Sequence, residues 1–306
     1  MLKKIRAIAA VAVSAVLSAS LFGCSSSEEY APELASPSVS SPTIGEDGVL
    51  RVGVNSDRSP LAGMGSERII GIDVDIAAAM ADELGLKLDV IDVGTDAEKA
   101  LADGDVDLVL DIDSSETHSG FWTSDDYIPT GVALFAMDSN SSTVPETASD
   151  KSIAAQVSSK SAWAVTNAFG TDALSSTTDL ATAFTDLSNG SIDFVAADVI
   201  IGMYAANRQG VDVKIVALLG APTGYCAGVA QENTELQSIV KDALARLRSN
   251  GTIDVIEKKW LGSAIDLSDI EVIENKTQSG DDALDDNEEG AEEQPDSSSS
   301  SAATAA

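Results

Sequence analysis

Asp103-Gly104-Asp105-Val106-Asp107-Leu108-Val109 and Asn189-Gly190-Ser191-Ile192-Asp193-Phe194-Val195 are two renderings of one pattern, about 86 residues apart. Each follows a stretch of helical periodicity, places a glycine where a helix would stop, and enters an apolar-Asp-apolar-Val run that reads as a strand start. Glycine suits that position because it adopts the left-handed conformation that closes a helix. Such a repeat suggests two lobes of similar build. Around the first copy, Leu50 to Val54 alternates as a strand, and Asp73 to Leu84 sets Ile76, Met80 and Leu84 on one helical face before Gly85. Leu86 to Val93 is a second strand, and Thr95 with Glu98 has the spacing of a capping box for the next helix. Strands alternating with short helices from Gly48 to about Gly262 imply an α/β fold, each sheet mostly parallel and flanked by helices. Ligands of such sheets sit beyond the carboxyl ends of the strands, so two facing lobes would share one cleft.

Composition restricts the partners. The 306 residues carry 18 Lys and Arg against 50 Asp and Glu, a formal net charge of -32. Like charge repels phosphate, which argues against nucleic acid. Acid concentrates between Asp266 and Asp296, and Ser297 to Ala306 holds only Ser, Ala and Thr, so residues 263–306 read as an acidic disordered tail.

At the other end, Lys3, Lys4 and Arg6 precede an apolar run from Ala7 to Phe22. That run is short of the ~20 residues a spanning helix needs and marks residues 1–23 as a secretion signal. It ends in Leu21-Phe22-Gly23-Cys24, which resembles the lipobox of bacterial lipoproteins, whose cysteine is diacylated. Phe22 is larger than the residue usual there, and an ordinary signal peptide cleaved nearby is the rival reading. Residues 24–47 are Ser/Pro-rich, the composition of a flexible tether. The expectation is lipidation at Cys24 and a body held outside the cytoplasm at the cell membrane. Cys226 has no partner for a disulfide in the mature body, and His118 is the one histidine. No zinc, calcium or phosphate-loop pattern appears, so no metal and no cofactor is expected.

Several patches, in order, resemble the family 3 extracellular solute-binding proteins, which serve polar amino-acid ABC importers. Gly48-Val49-Leu50-Arg51-Val52-Gly53-Val54 resembles the family's opening strand, and Gly71-Ile72-Asp73-Val74-Asp75-Ile76-Ala77 resembles its G-F-D-V-D-L-A helix start. Ala100 to Leu110 resembles the family's helix, glycine and V-D-L strand, and Asp193 to Asp198 the strand that delivers an acid to the ligand. Ala245 to Ile253 and Trp260-Leu261-Gly262 resemble its C-terminal signature. The resemblance implies a two-lobe periplasmic-binding-protein-like fold with two hinge crossings. Lobe 1 would comprise residues 48–136 plus 226–262, and lobe 2 residues 139–223. It also implies a monomer that captures an amino acid or related polar or amine solute by hinge closure and delivers it to an ABC permease. Related alternatives are a cyclohexadienyl-dehydratase-like enzyme and a ligand-sensing lipoprotein.

The family's amine-binding acid corresponds to Asp198. Alternation along Val106 to Asp113 turns Leu108, Leu110 and Ile112 one way and Asp111 and Asp113 the other, towards the cleft end. Family members usually carry T-x-x-R after this strand, the Arg gripping the ligand's α-carboxylate. Here Ser114-Ser115-Glu116-Thr117-His118-Ser119-Gly120 stands in its place, and no Arg occurs between Arg68 and Arg208. Substitutes are Arg58, His118, or Lys160 with the amides of Ser158 and Ser159 at a helix start. A cationic ligand would instead meet Asp111, Asp113 and Asp198, with Trp122, Tyr127 or Trp163 as ring faces. The candidate set is thus Asp198, Asp111, Asp113, Ser114, Ser159, Lys160, Arg58 and Trp122.

Overall fold

Gly104 and Gly190 both adopt left-handed φ angles, 73° and 71°. Each closes its helix in the same way: Gly104 N–H donates to Leu101 O and Asp105 N–H to Ala100 O, while Gly190 N–H donates to Leu187 O and Ser191 N–H to Asp186 O. In both copies the next aspartate then docks on a neighbouring strand, Asp107 N–H on Arg51 O at 2.8 Å and Asp193 N–H on Ser152 O at 3.0 Å. The sequence repeat is therefore a structural repeat of helix, left-handed stop and parallel strand. The side chains diverge: Asp107 is buried and pairs with Arg51 at 2.7 Å, whereas Asp193 is exposed.

The structure is a computed structural model that describes residues 35–139 and 152–273. In chain order it runs through β1 (Val49–Val54), a hairpin of β2 (Gly63–Met64) and β3 (Ile69–Ile70), α1 (Ile72–Leu84), β4 (Lys87–Asp92) and α2 (Ala97–Asp103). Next come β5 (Leu108–Asp113), β6 (Phe121–Thr123) and β7 (Ile128–Thr130). The second lobe holds β8 (Val132–Met137), β9 (Ile153–Gln156), α3 (Lys160–Phe169), β10 (Leu174–Thr177), α4 (Leu180–Ser188), β11 (Phe194–Asp198), α5 (Val199–Gln209) and β12 (Val213–Leu218). The chain returns through β13 (Thr223–Ala230), α6 (Thr234–Ser249) and α7 (Thr252–Leu261).

The first sheet has the order β4-β1-β5-β13-β6, with β7 also on β13, and the second β10-β9-β11-β8-β12. Each has a parallel core of three strands: β4, β1 and β5 in one, β10, β9 and β11 in the other. Each is also joined by an antiparallel strand next to a crossing, β13 on β5 and β8 on β11.

These pairings move the expected lobe boundaries. The first crossing is at Thr130-Gly131-Val132, not after residue 136, because β8 bonds to β11 and β12 of the second sheet. The return occupies residues 219–222, since β13 is already on β7 at Thr223. The expected tether and tail also change at their inner ends. Val39 and Ile44 are buried, Ser38 N–H donates to Leu84 O, and Asn233 Nδ2 donates to Thr43 O. Residues 35–47 thus pack on the first lobe because they carry apolar side chains that it accepts. Residues 263–273 likewise lie on the body, with Leu267 buried and Leu218 of β12 bonded to Glu271 and Ile273 at 2.8 Å each. The signal segment, Cys24 and the tail after residue 273 lie outside the described residues. The capping box does not form: α2 starts after Asp96, which makes no side-chain cap bond, and the Glu98 carboxylate lies against Gly120 instead.

Ile44 offers a direct check. Its side chain is 1 % exposed, so Ile44→Ala is expected to cost about 2–5 kcal/mol in urea unfolding, against under about 0.5 kcal/mol for a solvated tether residue.

Candidate ligand-binding cleft

A cleft of about 460 Å³ opens between the two sheets. Strands β5, β9 and β11 end on it at Asp113, Gln156 and Asp198, so the carboxyl ends of both parallel cores converge there. The first lobe adds Arg58, Ser115 and Tyr225, and the second Ser159, Lys160, Leu180 and Ile201. Thr130, Gly131, Val132 and Leu219 of the two crossings line it as well.

Asp198 is held by hydrogen bonds from two sides. It caps α5, accepting from Ile201 N–H at 3.1 Å, and its other oxygen accepts from Thr130 Oγ1 at 2.7 Å. Burial pushes its carboxyl pKa up, against the hydrogen bonds from Thr130 and the backbone. Each oxygen retains lone-pair capacity towards the cleft. Asp113 also accepts from Ser115, Oγ at 2.7 Å and N–H at 2.9 Å, and faces the cleft. Ser159 caps α3, accepting from Ala162 N–H at 3.0 Å, while Lys160 is exposed at the cleft edge.

Alternation along β5 fails at one point. Opposite the single residue Ala227 of β13 stand two residues of β5, Leu110 and Asp111, and Asp111 takes a left-handed φ of 65°. This bulge reverses the remainder of the strand, so Ile112 packs with Val109 and not with Leu108 and Leu110. Asp111 turns beneath the cleft floor while Asp113 reaches the cleft. There Asp111 N–H donates to Tyr127 Oη at 3.0 Å, and the Tyr127 hydroxyl donates to Asp73 Oδ1 at 2.7 Å. Asp73 and Asp111 are both buried, and desolvation pushes their carboxyls up to about 7 and about 8. Arg58 closes the group, its Nε 3.0 Å from Asp111 Oδ2 and its Nη2 donating to Tyr225 Oη at 3.2 Å.

Other expected residues fall elsewhere. Trp122 packs against the main core through β6 and does not line the cleft. Ser114 is taken up by β13, its Oγ accepting from Gly224 N–H at 3.0 Å and its own N–H donating to Gly224 O. Ser115 lines the cleft in its stead. Asp111 and His118 line an annex of about 370 Å³ that shares Arg58 and Asp113 with the cleft, and His118 stacks on Phe121. Tyr127 is buried under the floor, and Trp163 is exposed away from the cleft lining. Asp73, Thr130 and Tyr225 are the residues that sequence reasoning missed.

The family model of bacterial extracellular solute-binding proteins, family 3, matches residues 50–263. The chain belongs to this family. Among similar proteins, the L-cystine-binding protein TcyJ of Escherichia coli is 23% identical over 228 residues, 72% of this chain and 85% of that protein. The L-cystine-binding protein TcyA of Bacillus subtilis is 23% identical over 231 residues, 73% and 85% of the two chains. The fold is shared with a polar amino acid ABC uptake transporter substrate-binding protein from Streptococcus thermophilus, at a TM-score of 0.64, 18% identity and coverage of 71% and 88%. It is also shared with the unliganded, open L-cystine solute receptor of Neisseria gonorrhoeae, at a TM-score of 0.62, 20% identity and coverage of 71% and 94%. No helix among the described residues is long and apolar enough to cross a membrane.

The buried acids give a pH dependence with a definite sign. Their folded pKa values lie above the ordinary ~3.9 of an aspartate, so the folded chain holds protons that the unfolded chain has released. That stability is fully present below about pH 4 and is lost as pH rises through about 7 to 8. Asp73→Asn, which keeps an acceptor for Tyr127, is expected to flatten this fall. Thermal unfolding should show its midpoint raised relative to the wild type more at pH 8.5 than at pH 5.

Proposed function

We propose that the chain is the capture subunit of an ABC importer, holding an amino acid in the cleft and presenting it to a membrane permease. The observation that carries this reading is the convergence of one guanidinium, Arg58, and two carboxylates, Asp113 and Asp198, on a single cleft between two sheets. A zwitterion supplies the complementary pair of charges. Arg58 takes the place of the arginine missing after β5: it is held from two sides by Asp111 and Tyr225, so its orientation costs little on binding. Asp198 and Asp113 then meet the ammonium group. Leu180, Ile201, Val132 and Leu219 give the second lobe's wall an apolar character suited to the ligand's side chain. Closure follows physically, because contacts to both lobes at once exist only when they approach, and the ligand shifts the population towards that state. The names of the relatives make L-cystine a first compound to try.

The same reading places the protein outside the cytoplasm as a monomer, anchored through diacylated Cys24, without enzymatic activity. The family's extracellular character and the tether composition before residue 35 support it. Labelling with palmitate in a bacterial host should mark the wild-type chain, and Cys24→Ser should abolish the label.

A thermal-shift screen over amino acids, L-cystine, polyamines and quaternary amines tests the ligand. A true ligand at a hundredfold excess over its Kd adds ~2.7 kcal/mol, or roughly 5–10 °C for a body of this size. Arg58→Met should weaken carboxylate ligands by about tenfold to a hundredfold, matching a lost charge-assisted bond of ~1.5–3 kcal/mol. Asp198→Asn should shrink the shift of any amine-bearing ligand. No shift with any compound, or turnover of prephenate or arogenate by the wild-type chain, would replace this reading with another.

A further inference from the structure

Arg58 presents two different faces. Its side chain is 41% exposed, while the Asp111 side chain that it contacts is 2% exposed. Nε is committed to Asp111 and Nη2 to Tyr225, whose ring also lies 5.5 Å from the guanidinium carbon. The remaining edge is free to face the cleft, and the counter-ion stays below the floor.

Asp111 itself is crowded by acid. Asp73 approaches from α1, Asp113 from the end of its own strand, and Asp198 from the tip of β11, with the phenols of Tyr127 and Tyr225 beside it and, among the described residues, Arg58 as the cation paired with it. Asp111 Oδ1 and Asp73 Oδ2 are both buried with no hydrogen-bond partner. Two neighbouring buried carboxyls, each with an unpartnered oxygen, with Tyr127 bonded to both residues and one guanidinium on Asp111 alone, lack a proton to complete the set. A carboxylic acid donates where a carboxylate cannot, and a single guanidinium does not offset two desolvated anions.

We propose that Asp73 and Asp111 retain a proton in the empty cleft, and that a ligand carboxylate arriving at the open edge of Arg58 draws in a further proton from solvent. Asp111 then ceases to compete for the guanidinium, so it sets how strongly the cleft takes an anion. This rests on the reading of Arg58 as the carboxylate anchor. Asp111 is accordingly a positioning residue and not a ligand contact. It lies on the annex side of Arg58 and does not line the cleft.

The sign follows from linkage. An added anion raises the pKa of the buried acids, so bound protein carries more protons than free protein near and above their free values of about 7 and about 8. Affinity for carboxylate ligands is then highest below about pH 7 and falls, by up to about tenfold per unit, as pH rises beyond it.

The test uses the full chain, with the twenty standard amino acids and L-cystine as probes, titrated calorimetrically at pH 6.5 and 8.5 in buffers of different ionisation enthalpy. The expected result is proton uptake on binding and a loss of about tenfold or more in affinity between the two pH values. Asp111→Asn should bind with nearly equal affinity at both pH values and without proton uptake, and His118→Gln should keep the wild-type profile. Carbon-13 spectra of aspartate-labelled, unliganded protein should show two carboxyls titrating above pH 6, one of which disappears in Asp111→Asn. Should that variant not fold, Asp73→Asn reports on the same proton. The proposal is overturned if no aspartate carboxyl titrates above pH 6, if affinity does not depend on pH, or if Asp111→Asn retains the slope. Failure of every carboxylate probe to bind at either pH removes the anchor reading itself, and the coupling with it.

Discussion

Two passages of chain between the sheets govern the rest of the molecule. Thr130-Gly131-Val132 and residues 219–222 run side by side, joined by Leu219 N–H to Val132 O at 2.7 Å and by the ladder between β7 and β13. At Gly131 the φ is 153°, and a Cβ would stand 3.6 Å from Pro222 Cα, so the passages approach closely there. Because they are paired, the two sheets cannot present their strand ends in unrelated directions. Asp113, Gln156 and Asp198 meet over one gap as a consequence, and Thr130 ties the gap's floor to Asp198 directly.

Beneath that gap lies an arrangement that the main-chain pattern alone does not announce. A left-handed aspartate is disfavoured by roughly 1–2 kcal/mol, yet Asp111 adopts this conformation beside Tyr127, which receives its N–H and passes a hydrogen bond on to Asp73. The bulge therefore exchanges one cleft-facing acid for a buried one. In doing so it supplies Arg58 with a partner from below, which leaves Asp113 as the acid of β5 that lines the cleft.

The legible and illegible parts of the sequence divide along a physical line. Gly85, Gly104 and the second glycine of the repeat, Gly190, mark helix ends because a left-handed stop is a property of a few consecutive residues. The strands β1, β4, β5 and β11 are equally plain, since alternation and glycine punctuation are local, whereas the short β9 and β10 carry no such mark. The bulge is not local: Leu108-Val109-Leu110-Asp111-Ile112-Asp113 reads as an unbroken strand, and only the register of β13 and the hydroxyl of Tyr127 make Asp111 turn. Asp73 likewise reads as part of a helix start, and its burial depends on the floor that closes over it. Val39, Ile44 and Leu267 sit in polar, low-complexity surroundings that suggest tether and tail, yet each is buried on the folded body. Trp122 shows the converse, an aromatic near the right place in sequence whose strand carries it to the core.

The two ends of the described chain leave from different bodies. Residues 35–47 are stitched to the first lobe through Leu84 and Asn233, whereas residues 271–273 run alongside Leu218 at the edge of the second lobe's sheet. The N-terminal exit is thus fixed to the first lobe, and residues 271–273 are fixed to the second. Any swing of one lobe against the other thus changes the separation of these two exits. The strap over residues 263–273 reaches from α7 to β12 outside the paired passages, so such a swing would have to bend it as well.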